Sequence, residues 1–81
     1  MRITKKMKKM VKHVWENRND GVHAFYPLYH DFITIECLTD GDRDYIEICL
    51  TDEIDSLGYV YGNVLDVMYV YETEIDKFLE G

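Results

Sequence analysis

The first segment in which apolar positions recur regularly is the N-terminal one, and its pattern predicts a helix. Its apolar residues are spaced three or four positions apart: Ile3, Met7, Met10, Val11, Val14 and Trp15. This spacing brings them onto one face of a helix. The lysines lie off that face: Lys5, Lys8, Lys9 and Lys12. We therefore expect an amphipathic helix that ends within Asn17–Gly21.

The middle of the chain alternates between apolar and polar residues, which predicts a β-hairpin. Phe32–Leu38 and Tyr45–Leu50 flank the turn sequence Asp40–Gly41–Asp42–Arg43. Pairing Asp40 with Arg43 brings six residues onto one face: Ile33, Ile35, Cys37, Ile46, Ile48 and Leu50. A slip of one residue would scatter these six over both faces, so this register is expected.

This register has two consequences for the hairpin. Glu36 lies directly opposite Glu47, an arrangement that costs stability and hints at a use for the charge. Cys37 and Cys49 point to opposite faces and therefore cannot form a disulfide with each other. We expect Cys37 to be buried and Cys49 to be half-buried.

The segments on either side of the hairpin give less regular signals. Val22–Tyr26 predicts a short edge strand ended by Pro27. Towards the C-terminus a helical stripe runs without a miss: Leu57, Tyr61, Val64, Met68, Tyr71, Ile75 and Phe78. With Asn63 as a suitable N-cap, the stripe predicts a helix over about residues 64–80. The many Val and Tyr residues of Val64–Tyr71 favour a strand instead, and this alternative stays open.

These elements predict a single α+β domain over residues 1–81. The expected order is α-β-β-(β)-α, an antiparallel hairpin or three-stranded sheet with both terminal helices packed on one face. This order resembles that of the double-stranded-RNA-binding domain. None of the basic RNA contacts of that family is recognisable, and the net charge of −7 is unsuited to RNA, so its function is not carried over.

Composition indicates a folded domain with one modest core. The chain has 81 residues, of which 47% are hydrophobic. The longest apolar run, Val67–Tyr71, is far shorter than a membrane span. Because no apolar region follows the lysine-rich start as in a signal peptide, we expect a cytoplasmic protein with reduced cysteines.

The charge is divided between the two parts of the chain. Residues 1–18 carry seven basic residues and one acid, a net charge of +6, whereas residues 19–81 carry fifteen acids and two basic residues, a net charge of −13. An acidic body of this density repels nucleic acid and anionic membranes and attracts basic surfaces.

No motif in the chain is typical of catalysis or of cofactor binding, so we expect neither an enzyme nor a metalloprotein. The aspartates of the hairpin turn imitate the start of a calcium loop, but Tyr45 and Thr51 stand where such a loop needs Gly and Glu. The spacing of the possible zinc ligands fits no compact motif: His23, His30, Cys37 and Cys49. A Glu36–Glu47 acid–base pair is disfavoured because water would screen it on an open sheet face.

Tyrosines among carboxylates are a common interface composition, which turns the acidic body into a candidate binding surface. We expect Tyr61 and Tyr71 in the core and the others partly exposed: Tyr26, Tyr29, Tyr45, Tyr59 and Tyr69. The predicted partner-binding residues form one list: Glu36, Asp40, Asp42, Asp44, Tyr45, Glu47, Asp52, Glu53 and Asp55.

The sharpest form of this hypothesis is nucleic-acid mimicry. Residues two apart on a strand are about 6.7 Å apart, close to two phosphate steps of roughly 3.4 Å along DNA, and the turn aspartates offer that spacing. In size and acidity the chain looks like small anti-CRISPR and anti-restriction inhibitors of phages and mobile elements. The alternative is a regulatory adaptor whose basic head contacts nucleic acid while the acidic body binds a protein.

Overall fold

In the computed structural model, which describes residues 1–81, a four-stranded antiparallel sheet carries both helices on one side. The elements in chain order are α1 (Lys5–Glu16), a 3-10 turn (Arg18–Asp20), β1 (Ala24–Leu28), β2 (Asp31–Asp40), β3 (Arg43–Thr51), β4 (Val64–Tyr71) and α2 (Ile75–Glu80). The strands lie in the order β1-β2-β3-β4, so each strand pairs with its neighbours in sequence. The predicted α+β class is confirmed, with four strands where at most three were expected.

Helix α1 forms where the periodicity predicted it. The Thr4 hydroxyl accepts a hydrogen bond from the Met7 N–H at 3.2 Å and so caps the N-terminus. Met7, Val11 and Val14 are buried against the sheet. The helix ends at Glu16, followed by Asn17 as the C-cap, close to the predicted stop.

The central hairpin has the predicted register. Asp40 pairs with Arg43, and Glu36 lies opposite Glu47. The isoleucines of the helix-covered face are fully buried and form the centre of the core: Ile33, Ile35, Ile46 and Ile48. The hairpin adopts this register because only this pairing keeps all four isoleucines on one face.

Both cysteines are free, but their burial is the reverse of the expectation. Cys37 is half-buried and Cys49 is buried. The prediction for Cys49 was wrong because a loop, residues 52–63, folds over its part of the sheet. The prediction for Cys37 was wrong because Cys37 lies towards the turn end of the hairpin and packs at the margin of the core.

Strand β1 differs in detail from the predicted edge strand. It starts at Ala24 and continues through Pro27 to Leu28, with Pro27 paired to Phe32. Pro27 does not end the strand because an edge strand has a side on which a missing N–H is tolerated. Tyr26, expected to be partly exposed, is buried on the helix side, where the Lys6 ammonium lies 4.7 Å from its ring centroid.

The predicted helix over residues 64–80 is wrong in its first half. Val64–Tyr71 is strand β4, paired antiparallel with β3, and only Ile75–Glu80 is helical. Of the apolar residues that alternate at the centre of this strand, only Met68 belongs to the helical stripe: Met68 and Val70 face the helices, whereas Val67 and Tyr69 face the other side. Pairing with β3 satisfies a whole row of backbone groups that a helix here would leave unpaired, and Val and Tyr suit that environment.

The loop of residues 52–63 covers part of the helix-free side of the sheet. Asp52 Oδ1 accepts a hydrogen bond from the Asn63 N–H at 2.7 Å, which closes the base of the loop. Further out along the loop, Nε2 of His23 lies 2.8 Å from the carbonyl oxygen of Leu57. Gly58, with a φ of 88°, approaches the Phe25 ring so closely that a Cβ would clash with it. These contacts seat the loop on the sheet.

Candidate partner-binding surface

The helix-free side of the sheet, here called the open face, carries tyrosines and glutamates in adjacent rows. The strand pairing places these side chains on the open face: Glu36, Leu38, Tyr45, Glu47, Val67, Tyr69 and Tyr71. The ring centroid of Tyr45 lies 5.9 Å from that of Tyr69 and 5.2 Å from that of Tyr71. The Arg43 guanidinium lies 5.4 Å from the Tyr71 ring centroid. The tyrosines therefore form a contiguous aromatic platform beside the acids.

Glu36 and Glu47 meet as cross-strand neighbours at the centre of the open face. Both are half-buried. The pKa of Glu36 is raised, first by burial and second by the negative charge of Glu47, while His23 opposes the rise. The water-screened pair that the sequence suggested is thus partly desolvated, because the loop of residues 52–63 shields one end of the open face. A cation placed between the two carboxylates would relieve both effects.

A cavity of about 210 Å³ lies where this loop meets the open face. Its lining brings the glutamate pair together with His23, Cys49 and Tyr59. The His23 ring stacks on Tyr59 with ring centroids 4.2 Å apart. Carboxylates and aromatic rings around one small space are groups that favour a cationic side chain.

Cys49 in this cavity does not have the properties of a nucleophile. Its thiol donates a hydrogen bond to Glu47 Oε1 at 3.3 Å. Burial, followed by the hydrogen bond to Glu47 and the charge of that carboxylate, raises the pKa of Cys49 to about 12. The thiol is therefore protonated near neutral pH, whereas reactive cysteines have lowered pKa values.

Six of the nine predicted binding residues are available at the surface of this side and at the hairpin end. Glu36, Tyr45 and Glu47 belong to the open face itself. Asp40 and Asp42 are exposed at the hairpin turn, and Glu53 is exposed on the loop. These six residues, together with Tyr69 and Tyr71, are called the acidic surface below.

Asp44 lies apart from the acidic surface. Its carboxylate turns to the helix side, where Oδ2 lies 3.4 Å from Arg18 Nε and Oδ1 accepts a hydrogen bond from the Thr39 hydroxyl at 3.0 Å. Asp40 ends β2, Asp42 lies in the turn and Asp44 belongs to β3. The phosphate-like spacing along one strand therefore does not apply to these three aspartates.

Asp52 and Asp55 have structural roles in the loop. Asp52 accepts hydrogen bonds from both the backbone N–H and the side-chain amide of Asn63. Asp55 Oδ1 accepts from the Leu57 and Tyr59 N–H groups, each at 2.9 Å. Such local bonds are typical of aspartate in turns. These two carboxylates shape the loop and add charge beside the acidic surface.

Sequence reasoning left four side chains out of the site. His23 and Tyr59 reach the cavity only through tertiary contacts, and no local pattern could have found them. Tyr69 and Tyr71 have a usable signal, the alternation Val67–Tyr69–Tyr71, which the helical interpretation of the segment obscured. Of the two tyrosines expected in the core, Tyr71 is half-buried and Tyr61 is 71% exposed.

The lysines of α1 lie on the opposite side of the molecule, whereas Arg43 lies beside Tyr71 on the open face. Helix α1 packs its apolar stripe on the sheet and turns its lysines outward. Three of them line a shallow groove with acids of α2: Lys8, Lys9, Lys12, Asp76 and Glu80. The two acids partly offset the mutual repulsion of these lysines.

The chain contains no group of three or more His, Cys, Asp or Glu side chains that could hold a metal ion together. None of its helices has the length and apolar character needed to cross a membrane. Comparison with family models, curated proteins and solved structures finds no match to this chain.

Proposed function

We propose that the protein is a non-enzymatic binder that holds a basic protein surface against the acidic surface. The observation that supports this best is the segregation of charge in the fold. Carboxylates and tyrosines share the helix-free side and the hairpin end, whereas the lysines of α1 lie on the other side. A basic partner is therefore attracted and oriented by one side of the molecule.

The glutamate pair gives this surface a specific anchor. Glu36 and Glu47 are held opposite each other at a cost to the free protein. An arginine or lysine of the partner that approaches this pair gains two carboxylates and removes their mutual repulsion. The neighbouring tyrosines add the aromatic contacts that are enriched in protein interfaces.

Nucleic-acid-binding enzymes are the partner class that fits this chemistry best. Their channels are lined with Lys and Arg that pair with phosphates. A small acidic protein seated in such a channel would exclude the nucleic acid, which is inhibition by mimicry. This role agrees with the resemblance in size and acidity to anti-CRISPR and anti-restriction proteins, and it would be exerted in the cytoplasm.

The test is capture from a lysate of the native host, with mass spectrometry of the bound proteins, using three forms of the chain. The first is the natural sequence. The second removes four charges from the acidic surface: Glu36→Gln, Asp40→Asn, Asp42→Asn and Glu47→Gln. The third removes four exposed acids elsewhere and so has the same net charge: Asp20→Asn, Glu72→Gln, Asp76→Asn and Glu80→Gln.

We expect a nucleic-acid-binding enzyme to be captured by the natural and third forms and lost from the second. Its association rate should fall with added salt, and its nucleic-acid binding should be blocked by the protein. Equal capture by all three forms would contradict the proposal. Direct, steeply salt-dependent DNA binding that is lost on Lys8→Gln with Lys12→Gln would instead favour the adaptor hypothesis.

A further inference from the structure

We infer that the outer edge of β4 is the contact through which two copies of this chain pair into one continuous eight-stranded sheet. This inference goes beyond the proposed function and uses a different part of the molecule. β4 ends the sheet order and pairs only with β3. Its other side presents backbone groups that a further strand could use.

The two edges of the sheet differ in how well they are protected. β1 has five residues, one of which is Pro27, a typical way to blunt an edge. β4 has eight residues without proline, glycine or lysine. Four of its side chains are exposed and apolar or aromatic, by 53, 52, 38 and 50% respectively: Val64, Leu65, Val67 and Tyr69. A long apolar edge of this kind is a template for strand addition.

The hydrogen bonds identify which backbone groups of β4 are available. The Glu72 N–H, just after the strand, donates to the Asp44 carbonyl oxygen on β3 at 3.2 Å. The outward-pointing Val67 N–H donates to the neighbouring Asp66 Oδ1 at 2.9 Å, and a pairing strand would have to displace this bond. Along an antiparallel strand the backbone N–H and C=O groups of successive residues point alternately towards the neighbouring strand and away from it. Since the Glu72 N–H points towards β3, the backbone groups of the odd-numbered residues of β4 point towards the free edge. Within Asp66–Tyr71, a pairing strand would therefore meet the backbone groups of Val67, Tyr69 and Tyr71.

Charge selects a second copy as the occupant of this edge. Asp66 is the single acid or base within β4, and its carboxylate lies 2.8 Å from the N-terminal ammonium of Met1. β4 thus offers a basic partner a single carboxylate, and that carboxylate is already in an ion pair. Two copies, each with a net charge of −7, repel each other over most surfaces but can approach at this neutral strand.

The strand is also complementary to itself. Its regular pairing with β3 runs over Asp66–Tyr71, because the register shifts between Leu50 and Thr51. A two-fold axis at Met68 aligns two such segments antiparallel, with Val67 opposite Tyr69 of the second copy. On the helix side Met68 meets its own counterpart beside a groove between β4 and α2, whose lining is mostly apolar but includes Glu74 and Lys77. The open side of the junction is then apolar, whereas on the helix side Asp66 lies opposite Val70 of the second copy and never opposite Asp66.

The first measurement is sedimentation of the full chain over a range of concentrations at low and high salt. We expect a monomer–dimer equilibrium that shifts towards dimer as salt screens the repulsion between two acidic copies. Binding to a basic partner responds to salt in the opposite direction, so the two proposals can fail independently. A chain that stays monomeric at every concentration overturns the inference and leaves the edge to a strand from another protein.

A pair of variants tests the location of the contact. Val67→Glu adds a like charge to both strands at the junction and should weaken the dimer by about tenfold or more. Leu57→Glu makes the same charge change at a loop residue that is 67% exposed and should leave the dimer unchanged. Thermal unfolding checks that both variants fold. Equal effects of the two variants, or a dimer unaffected by Val67→Glu, would overturn the assignment to β4.

A cross-link tests the register independently. In a background with Cys37→Ser and Cys49→Ala, Met68→Cys brings two thiols together at a non-hydrogen-bonded pair, where Cα atoms are about 4.5 Å apart. Such a pair can form a disulfide, whereas Tyr69→Cys leaves the two Cα atoms beyond about 7 Å. We expect a covalent dimer from Met68→Cys and not from Tyr69→Cys. The reverse result refutes the two-fold axis at Met68.

Discussion

The two sides of the sheet show how one set of strands can serve stability on one side and recognition on the other. On the helix-covered face the four central isoleucines have no exposed surface, whereas Val67 and Tyr69 on the open face are 38% and 50% exposed. The covered face is apolar and packs against α1 and α2 to form the core. The open face combines tyrosines with a like-charged glutamate pair, an arrangement that lowers the stability of the free protein and suits a partner of opposite charge.

The largest expected difference between the two faces is in packing. Ile48→Ala should lower the free energy of unfolding by about 2–5 kcal/mol, because it leaves a cavity in a fully buried site. Val67→Ala on the open face should cost less than about 1 kcal/mol. Urea denaturation followed by circular dichroism, on dilute protein, measures both. Similar losses for the two variants would show that the open face is packed as tightly as the covered one.

The loop over the open face gives the next largest effect. Gly41 in the hairpin turn serves as the reference outside the loop: its φ is 69° and the space around it is free. We therefore expect Gly41→Ala to lower the free energy of unfolding by about 1–2 kcal/mol through backbone strain alone. Gly58→Ala adds a clash with the Phe25 ring, for about 1–3 kcal/mol more. The extra loss should appear in urea denaturation, together with faster labelling of Cys49 as the loop loosens. An equal cost for both variants would mean that Phe25 yields freely.

The glutamate pair predicts a smaller gain in stability. Glu36→Gln should raise the free energy of unfolding near neutral pH by about 0.2–1 kcal/mol, because it removes a like-charge cross-strand pair. The fold raises the pKa of Glu36, so the protonated carboxyl is favoured in the folded state. The natural chain is therefore more stable when Glu36 is protonated, and it loses that stability as pH rises through the raised pKa. The gain should therefore vanish below the ordinary value of 4.5.

Urea denaturation at several pH values tests this sign. Glu53→Gln is a matched control, since Glu53 is exposed on the loop and lies opposite no other acid on a paired strand. It should change the stability little at any pH. A Glu36→Gln variant that is less stable than the natural chain near neutral pH would show that the carboxylate is already well paired in the free protein.

The two cysteines should differ in how fast their thiols react. Thiol counting in denaturant without reductant should return two thiols per chain. In the folded protein Cys37 should be labelled well before Cys49, which is 4% exposed and has a pKa of about 12. Mass spectrometry of partially labelled protein identifies the modified residue. Preferential labelling of Cys49 would mean that the loop is open in solution.

Comparison of the two faces also shows what could be predicted from the residues alone. The parts of the covered face that come from α1 and the central hairpin were predictable because each of their patterns had one period. The stripe of α1 fits only a helix, and the alternation around Ile35 and Ile48 fits only the observed register. The opposition of Glu36 and Glu47, and hence the centre of the candidate site, followed from that register without any tertiary information.

The rest of the candidate site required the tertiary structure. Asp44 was expected to belong to the acidic surface, but strand alternation places it on the same face as Ile46, and there Arg18 approaches its carboxylate. His23 and Tyr59 meet because the loop of residues 52–63 returns across the sheet. These contacts join residues that are far apart in sequence, so no spacing rule could anticipate them.

The sequence by itself determined helix α1, the central hairpin with its register, and the division of charge, because local periodicity and composition admitted a single interpretation for each. The tertiary structure decided the conformation of Val64–Tyr71, whose apolar residues suit a helix and a strand alike. The open edge of β3 resolved that ambiguity, because pairing with β4 satisfies backbone groups that would otherwise lack partners. The burial of Cys49 was decided in the same way, by a loop whose seat on the sheet exists only in the folded chain.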